Sequence, residues 1–170
     1  MAKKKSGNTG LILTVVVLVL AVAAFAMAFL VGVKFVTSKG DLVNEFTGFQ
    51  TMFGFTESKE ALGVTVETGY LAFSILATLA FALPLIGGLV TLVNNKIAKL
   101  VGAILMIAGA VLMFLLPSLV VFATGEALST TAIAVAALEA STAKLGIGAI
   151  IGGICAGLGG LVAGYGALTK

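Results

Sequence analysis

Four long apolar runs constrain this chain more than any other feature of it. Leu11 to Val33, Gly69 to Val93, Leu100 to Ala123 and Leu145 to Leu168 contain no Asp, Glu, Lys, Arg or His. A bilayer core of roughly 30 Å needs about 20 apolar residues to cross it as a helix, and each run is long enough. With no water in the bilayer core, backbone amides must bond within their own segment, which makes each run a helix. A membrane β-barrel would instead show alternating segments about half as long, and that pattern is absent. Only 10% of the residues are charged and 60% are hydrophobic, whereas a soluble domain is about a quarter charged. Lipid must therefore solvate much of the chain.

These runs predict an all-α membrane protein, a four-transmembrane-helix bundle with a partly structured first outer loop, in one membrane domain over residues 1–170. The spans fall at about 11–33, 69–93, 100–123 and 145–168, the inner loop at 94–99 and the outer loops at 37–68 and 124–143. No span carries an ionisable residue on this reading. Lysine bias orients the spans. Lys3, Lys4, Lys5, Lys96, Lys99 and Lys170 share one side, which predicts a multi-pass cell-membrane protein with both termini cytoplasmic. The other side holds Lys34, Lys39, Lys59 and Lys144 with every acid, from Asp41 to Glu139 and including Glu126. Lys34 and Lys144 are expected to snorkel from the ends of spans one and four. Tyr70 and Tyr165 are expected at opposite membrane interfaces. The first run exceeds the usual core of a secretory signal, so it is read as a retained span.

The first outer loop is apolar in its own right. Phe46, Phe49 and Phe53 recur at helical spacing, which would align them on one helix face. With Phe55 they form a candidate contact surface that could cap the bundle, enter the headgroups or bind a protein partner. A short helix is expected from Glu57 to Leu62, with Thr56 as N-cap and Gly63 as its stop. Val64 to Glu67 alternates like a brief strand. Asn94 or Asn95 is expected to close the second span in a left-handed conformation. Pro84 and Pro117 lie inside spans two and three and are expected to kink them. Residues 124–143 read as a helix lying on the surface or tucked against the bundle, too short for a fifth crossing.

The strongest local pattern is in the last span. Gly148, Gly152, Ala156, Gly160 and Gly164 recur every four residues, beside a second row of Ala149, Gly153 and Gly157. Such small-residue GxxxG faces let helix backbones approach closely. The partner is either another helix of the same chain or a second copy in a homo-oligomer.

Chemistry is sparse. There is no His, and Cys155 is the only cysteine. This removes the usual general base and any cysteine cluster for a metal, so no catalytic residue, metal or cofactor is predicted. Cys155 has no basic neighbour in sequence to lower its pKa. A net charge of +3 gives no reason to expect nucleic-acid binding. Ser74, Thr78 and Thr91 could line a pore, although hydroxyls in membrane helices ordinarily bond between helices.

Gly48-Phe49-Gln50, Phe53-Gly54, Leu83-Pro84-Leu85-Ile86-Gly87-Gly88 and Leu116-Pro117-Ser118, with the glycine-rich last span, resemble small four-span membrane proteins of bacteria, a resemblance that implies no particular activity. The layout also resembles claudin-like tetraspan proteins, without their outer-loop Trp and paired Cys. The expected function is that of a non-enzymatic structural, assembly or interaction component of the lipid bilayer. A small oligomeric channel or transporter subunit is the alternative.

Overall fold

Uninterrupted apolar sequence produces helices here, but not over the whole of each run. The computed structural model describes residues 6–61, 64–93, 95–124 and 129–169. The predicted roles of Lys3, Lys4, Lys5, Leu62, Gly63, Asn94, Glu126 and Lys170 lie outside the described residues. Among the described residues, three helices are long and apolar enough to cross a membrane: Gly10–Phe29, Lys96–Phe114 and Ile147–Leu168. The first comprises α1 (Ser6–Ala26) and a following 3-10 turn (Met27–Phe29). Between it and α3 (Ile75–Val90) come β1 (Val31–Val36), β2 (Leu42–Thr47), α2 (Gly48–Phe53), β3 (Phe55–Ala61) and β4 (Val64–Leu71). The rest comprises α4 (Lys96–Phe114), α5 (Leu116–Leu119), α6 (Thr130–Glu139), β5 (Thr142–Leu145) and α7 (Ile147–Leu168).

The long helices and α3 pack in a ring, α1 beside α3, α3 beside α4, α4 beside α7 and α7 beside α1. Neighbours in the ring run antiparallel. Gly148 near the start of α7 meets Met27 and Leu30, whereas Gly166 near its end meets Leu13. All strands consequently gather at one end of the helices. The α3–α4 connection lies at the other end, with the start of α1 and the end of α7.

The chain is not all-α. An antiparallel sheet of order β2-β1-β5 extends from the adjacent ends of α1 and α7, and β3 and β4 form a separate hairpin. Residues that the sequence assigns to the ends of spans one and two, Val31 to Val33 and Gly69 to Leu71, are strand instead. β1 buries Val33 and Phe35 and bonds on both edges, to β2 and β5. Gly40, at φ 94°, turns β1 into β2. Gly146 joins β5 to α7; its N–H donates to the Gly32 carbonyl at 2.8 Å, and a Cβ there would run into the Val31 carbonyl.

The helix expected from Glu57 to Leu62 is a strand. Glu, Lys and Ala favour helix locally, but Glu57 to Glu60 pair in register with Thr68 to Thr65 of β4, where β-branched residues suit a pleated surface. Thr56 is a strand residue and caps nothing. The Val64 to Glu67 strand is present and runs on to Leu71. Phe46 lies in β2, while Phe49 and Phe53 lie on α2, so the three do not share a helix face. Asn95 is extended, at φ −127°, and its side chain accepts from Ile97 N–H; it starts α4 rather than closing α3. Pro84 sits inside α3, and Pro117 falls in the first turn of α5 after α4 ends at Phe114. A first turn tolerates proline because its N–H has no helical partner there.

Two charged positions also differ from expectation. Lys34 and Lys144 are strand residues that face one another across β1 and β5, so neither snorkels from a helix end. Lys34 pairs instead with Glu45 at 3.6 Å. Lys99 belongs to the first turns of α4 and is buried, which places an ionisable residue within an apolar helix of membrane-crossing length.

One core cluster runs without a break from the helices into the strands and includes Ala80, Phe81, Met113, Leu116, Phe35, Phe46 and Leu71. A smaller cluster at the opposite end holds Val17, Ala21, Met106 and Ala163.

Candidate functional site

The helix ring is small inside and large outside. Its buried positions are mainly alanine and glycine, among them Ala21, Ala24, Ala80, Ala103 and Ala156, while Val19, Ile104, Ile107, Leu158 and Leu161 are exposed. Water would favour the reverse arrangement. In lipid, apolar tails solvate large aliphatic side chains as well as a core does, and small residues are kept for close helix approach.

The glycines of α7 contribute to that approach in a graded way. A Cβ at Gly148 would lie 2.6 Å from the Met27 carbonyl oxygen and 3.0 Å from that of Val31. At Gly152 it would meet Met113 Sδ at 3.0 Å and the Ala24 carbonyl at 3.2 Å. At Gly160 it would meet Ile107 at 2.7 Å and the Ala103 carbonyl at 3.1 Å. At Gly157 and Gly164 the nearest atoms are 3.9 Å away, ordinary contact. A Cβ at Gly153 would lie 3.0 Å from the Phe114 ring, and Ala156 is fully buried. The four-residue row thus does not stay on one face. Each four-residue step overshoots a full turn by about 40°, so four steps carry the row roughly 160° round the helix. It begins against α1 and ends against α4, and both partners belong to the same chain.

Sequence spacing misses several equally close positions. Gly159 is buried, and a Cβ on it would collide with the Met106 methyl group. Between α3 and α4, Cβ atoms at Gly87 and Gly102 would lie 2.7 and 2.6 Å from each other's carbonyl oxygens. Gly109 leaves room for the Pro84 ring, so the proline packs at the crossing of the two helices.

The hydroxyls of the pore alternative are occupied. Ser74 Oγ donates to the Leu119 carbonyl at 2.7 Å and caps α3 by accepting from Ala77 N–H. Thr78 donates to the Ser74 carbonyl at 2.9 Å and Thr91 to the Gly88 carbonyl at 2.6 Å. Cys155 is half-buried on α7, against the larger core cluster.

The four candidate phenylalanines of the first outer segment divide into two pairs. Phe46 and Phe55 belong to an aromatic core beneath the strands. Phe46 meets Phe35 edge-on at 5.9 Å, and Phe55 stacks on Tyr70 at 5.9 Å. Tyr70 is therefore a strand residue in this cluster rather than a lone interfacial ring. Its hydroxyl donates to Glu57 at 3.2 Å. Burial pushes the phenol pKa up, the Glu57 hydrogen bond and charge push it further, and Lys59 opposes them. Tyr165 is exposed on α7 near the other end of the helices.

Phe49 and Phe53 are exposed on α2. Their rings lie 4.9 Å apart, Phe49 stacks on Phe29 at 5.3 Å, and Phe53 reaches Phe73 at 6.4 Å. Phe29 and Phe73 are also exposed. The result is a ridge of four rings that crosses from the end of α1 to the start of α3. Phe29 and Phe73 look like ordinary span residues in the sequence, and only the docking of α2 between the helices brings them to Phe49 and Phe53.

That docking has clear local causes. Thr47 and Gln50 form a reciprocal capping box, and Gly54, at φ 87°, ends the helix in a conformation open to glycine. Gly48 is buried, where a Cβ would meet the Phe81 ring at 2.6 Å and Ala28 Cα at 2.9 Å. Thr51 and Met52 are buried on the same side.

Among the described residues, no group of three or more His, Cys, Asp or Glu side chains is placed to hold a metal ion. Comparison with known proteins found no matching family model, curated protein or solved structure. Classification therefore rests on the chain itself: three helices with the length and composition to cross a bilayer mark a membrane protein, and strands at one end of those helices distinguish it from a plain helical bundle.

Proposed function

We propose that this chain crosses the cell membrane four times, with α3 as the additional span, and acts as a non-enzymatic structural or assembly component. Both termini and the α3–α4 connection lie on the cytoplasmic side, where lysines outnumber acids. The strands and α6 form an outer module for contacts with partners. The main support is the inside-out packing of four antiparallel helices whose folded extramembrane elements are confined to one end. The module is rigidly coupled to the helices. β1 and β5 tie the α1 and α7 ends together, and Leu71 bridges to Phe122 between the hairpin and the segment after α5. α6 is joined to the hairpin by the Gly69 N–H to Thr131 Oγ1 bond at 3.0 Å. The resemblance to small bacterial four-span proteins and to claudin-like tetraspans is proposed as one of layout, without a transferred activity.

Two measurements test this. In a Cys155→Ser background, Ser58→Cys on the hairpin should react with an impermeant maleimide added outside intact cells, while terminal tags stay protected. Reaction only after permeabilisation would reverse the topology. Purified protein in liposomes should show no selective solute flux; such flux would instead establish the channel reading.

A further inference from the structure

Among the four helices of the ring, α3 is short. Its sixteen residues reach about 24 Å at 1.5 Å per residue, against a bilayer core of roughly 30 Å. At the strand end, the chain before it is extended, and Ser74 N–H donates to the Met52 carbonyl at 3.0 Å, so the last turn of α2 sits directly over the start of α3. α2 begins at the level of Ala28, where Gly48 packs against that residue's backbone. Ala28 lies within the apolar stretch Gly10–Phe29. α2 therefore lies beside the end of a membrane-crossing helix and fills the depth that α3 leaves unspanned.

We infer that α2 is immersed in the outer leaflet and that the ridge of Phe29, Phe49, Phe53 and Phe73 contacts lipid at the boundary of acyl chains and headgroups. This rests on the four-span reading above. The occupant is lipid because the ridge continues the apolar outer surfaces of two helices without a break. Leu30 adjoins it on one side and Ile75 and Leu76 on the other, all exposed. No charged residue belongs to the ridge, and the ion pairs Lys34–Glu45 and Glu57–Lys59 are carried by strands instead. Phenylalanine has no polar edge to hold it among headgroups, but an apolar helix face bearing such rings buries about 5–10 Å into the boundary between headgroups and acyl chains. α2 buries Thr51 and Met52 in protein and turns Phe49 and Phe53 outward, and its half-buried Gln50 spends its side-chain oxygen on the Thr47 N–H at 2.9 Å. Within the first outer segment, α2 thus forms part of the membrane domain and covers the end of a helix too short to cross alone.

The chain has no tryptophan, so one introduced indole reports alone. Phe53→Trp would be reconstituted in phosphatidylcholine vesicles brominated either high on the acyl chains or near their ends. Ser58→Trp on the hairpin serves as the aqueous control and Leu158→Trp, exposed midway along α7, as the deep-lipid control. Phe53→Trp should lose roughly half or more of its emission to the shallow bromines, and less to the deep ones, as an aromatic at the membrane boundary does. Iodide should quench it far less than Ser58→Trp. Iodide quenching equal to that of Ser58→Trp would place the ridge in water and overturn the inference. Protection from both quenchers would mean that a protein or a second copy covers it, which also overturns it. If Leu158→Trp is not quenched by bromines either, the membrane reading itself fails, a result distinct from failure at Phe53 alone. Phe49→Trp repeats the test should Phe53→Trp misfold.

Discussion

Replacing the row glycines of α7 by alanine, one at a time, tests whether that helix packs within its own chain. The sequence treats Gly148, Gly152, Gly160 and Gly164 as equivalent, but the geometry ranks them. An unstrained Cβ contact is about 3.4 Å or longer, so Gly148→Ala falls short by about 0.8 Å against the Met27 carbonyl. That oxygen belongs to backbone, and relief requires α1 and α7 to separate along their contact. Overpacking of this kind costs about 1–3 kcal/mol, and obstruction by two backbone carbonyls puts Gly148→Ala near the upper end. Gly152→Ala and Gly160→Ala should cost less, since part of the obstruction is a Met113 or Ile107 side chain that can rotate away. Gly164→Ala meets nothing closer than 3.9 Å. It should be neutral or stabilising by up to about 1 kcal/mol, the helix-propensity difference between the two residues. Unfolding in a detergent–SDS titration, followed by far-ultraviolet circular dichroism, reads the series. Equal losses at Gly148 and Gly164, or a changed oligomer size with unaltered monomer stability, would refute packing within the chain.

Three further outcomes follow from the strand end and its junction with α3. Ser74→Ala removes the α3 cap and the donor to Leu119, and should cost about 1–3 kcal/mol in the same titration, whereas Thr78→Ala should cost less because its bond lies within its own helix turn. Lys144→Glu replaces a like-charged neighbour of Lys34 with an opposite one, and should stabilise the sheet by about 0.2–1 kcal/mol, less at high salt. Tyr70 has a raised pKa, so the fold favours the neutral phenol. Its contribution is complete below the unfolded value of about 10 and is lost as pH rises through the higher folded value. Absorbance titration of Tyr165→Phe should give a Tyr70 midpoint above the ordinary value, and adding Glu57→Gln should lower it.

Local reading succeeds in the helices because every helical hydrogen bond is made within one turn of its own sequence. Ile147 to Leu168 can be anticipated nearly to its ends from apolar length alone, whereas the run read as a span from Leu100 to Ala123 is helix from Lys96 to Phe114, followed by the short α5 and extended chain. The same reading fails where a residue's partner is distant in the chain. Val31 to Val33 are as apolar as the residues before them, and they leave the helix because β2 and β5 supply hydrogen bonds on both sides. Glu57 to Glu60 would suit a helix, but lie in a strand because β4 faces them in register. The ridge was half legible: Phe49 and Phe53 stood out by their spacing, whereas Phe29 and Phe73 join them only through the docking of α2.

The sequence by itself pointed to a membrane protein and to the apolar runs that hold its long helices, since uncharged length and the need to satisfy backbone amides are properties of each segment alone. Tertiary structure decided which apolar residues became strands, which glycines carry close contacts and which phenylalanines face outward. Those outcomes depend on what stands opposite each residue in space, and a strand edge or a missing Cβ has no consequence until its neighbour is in place.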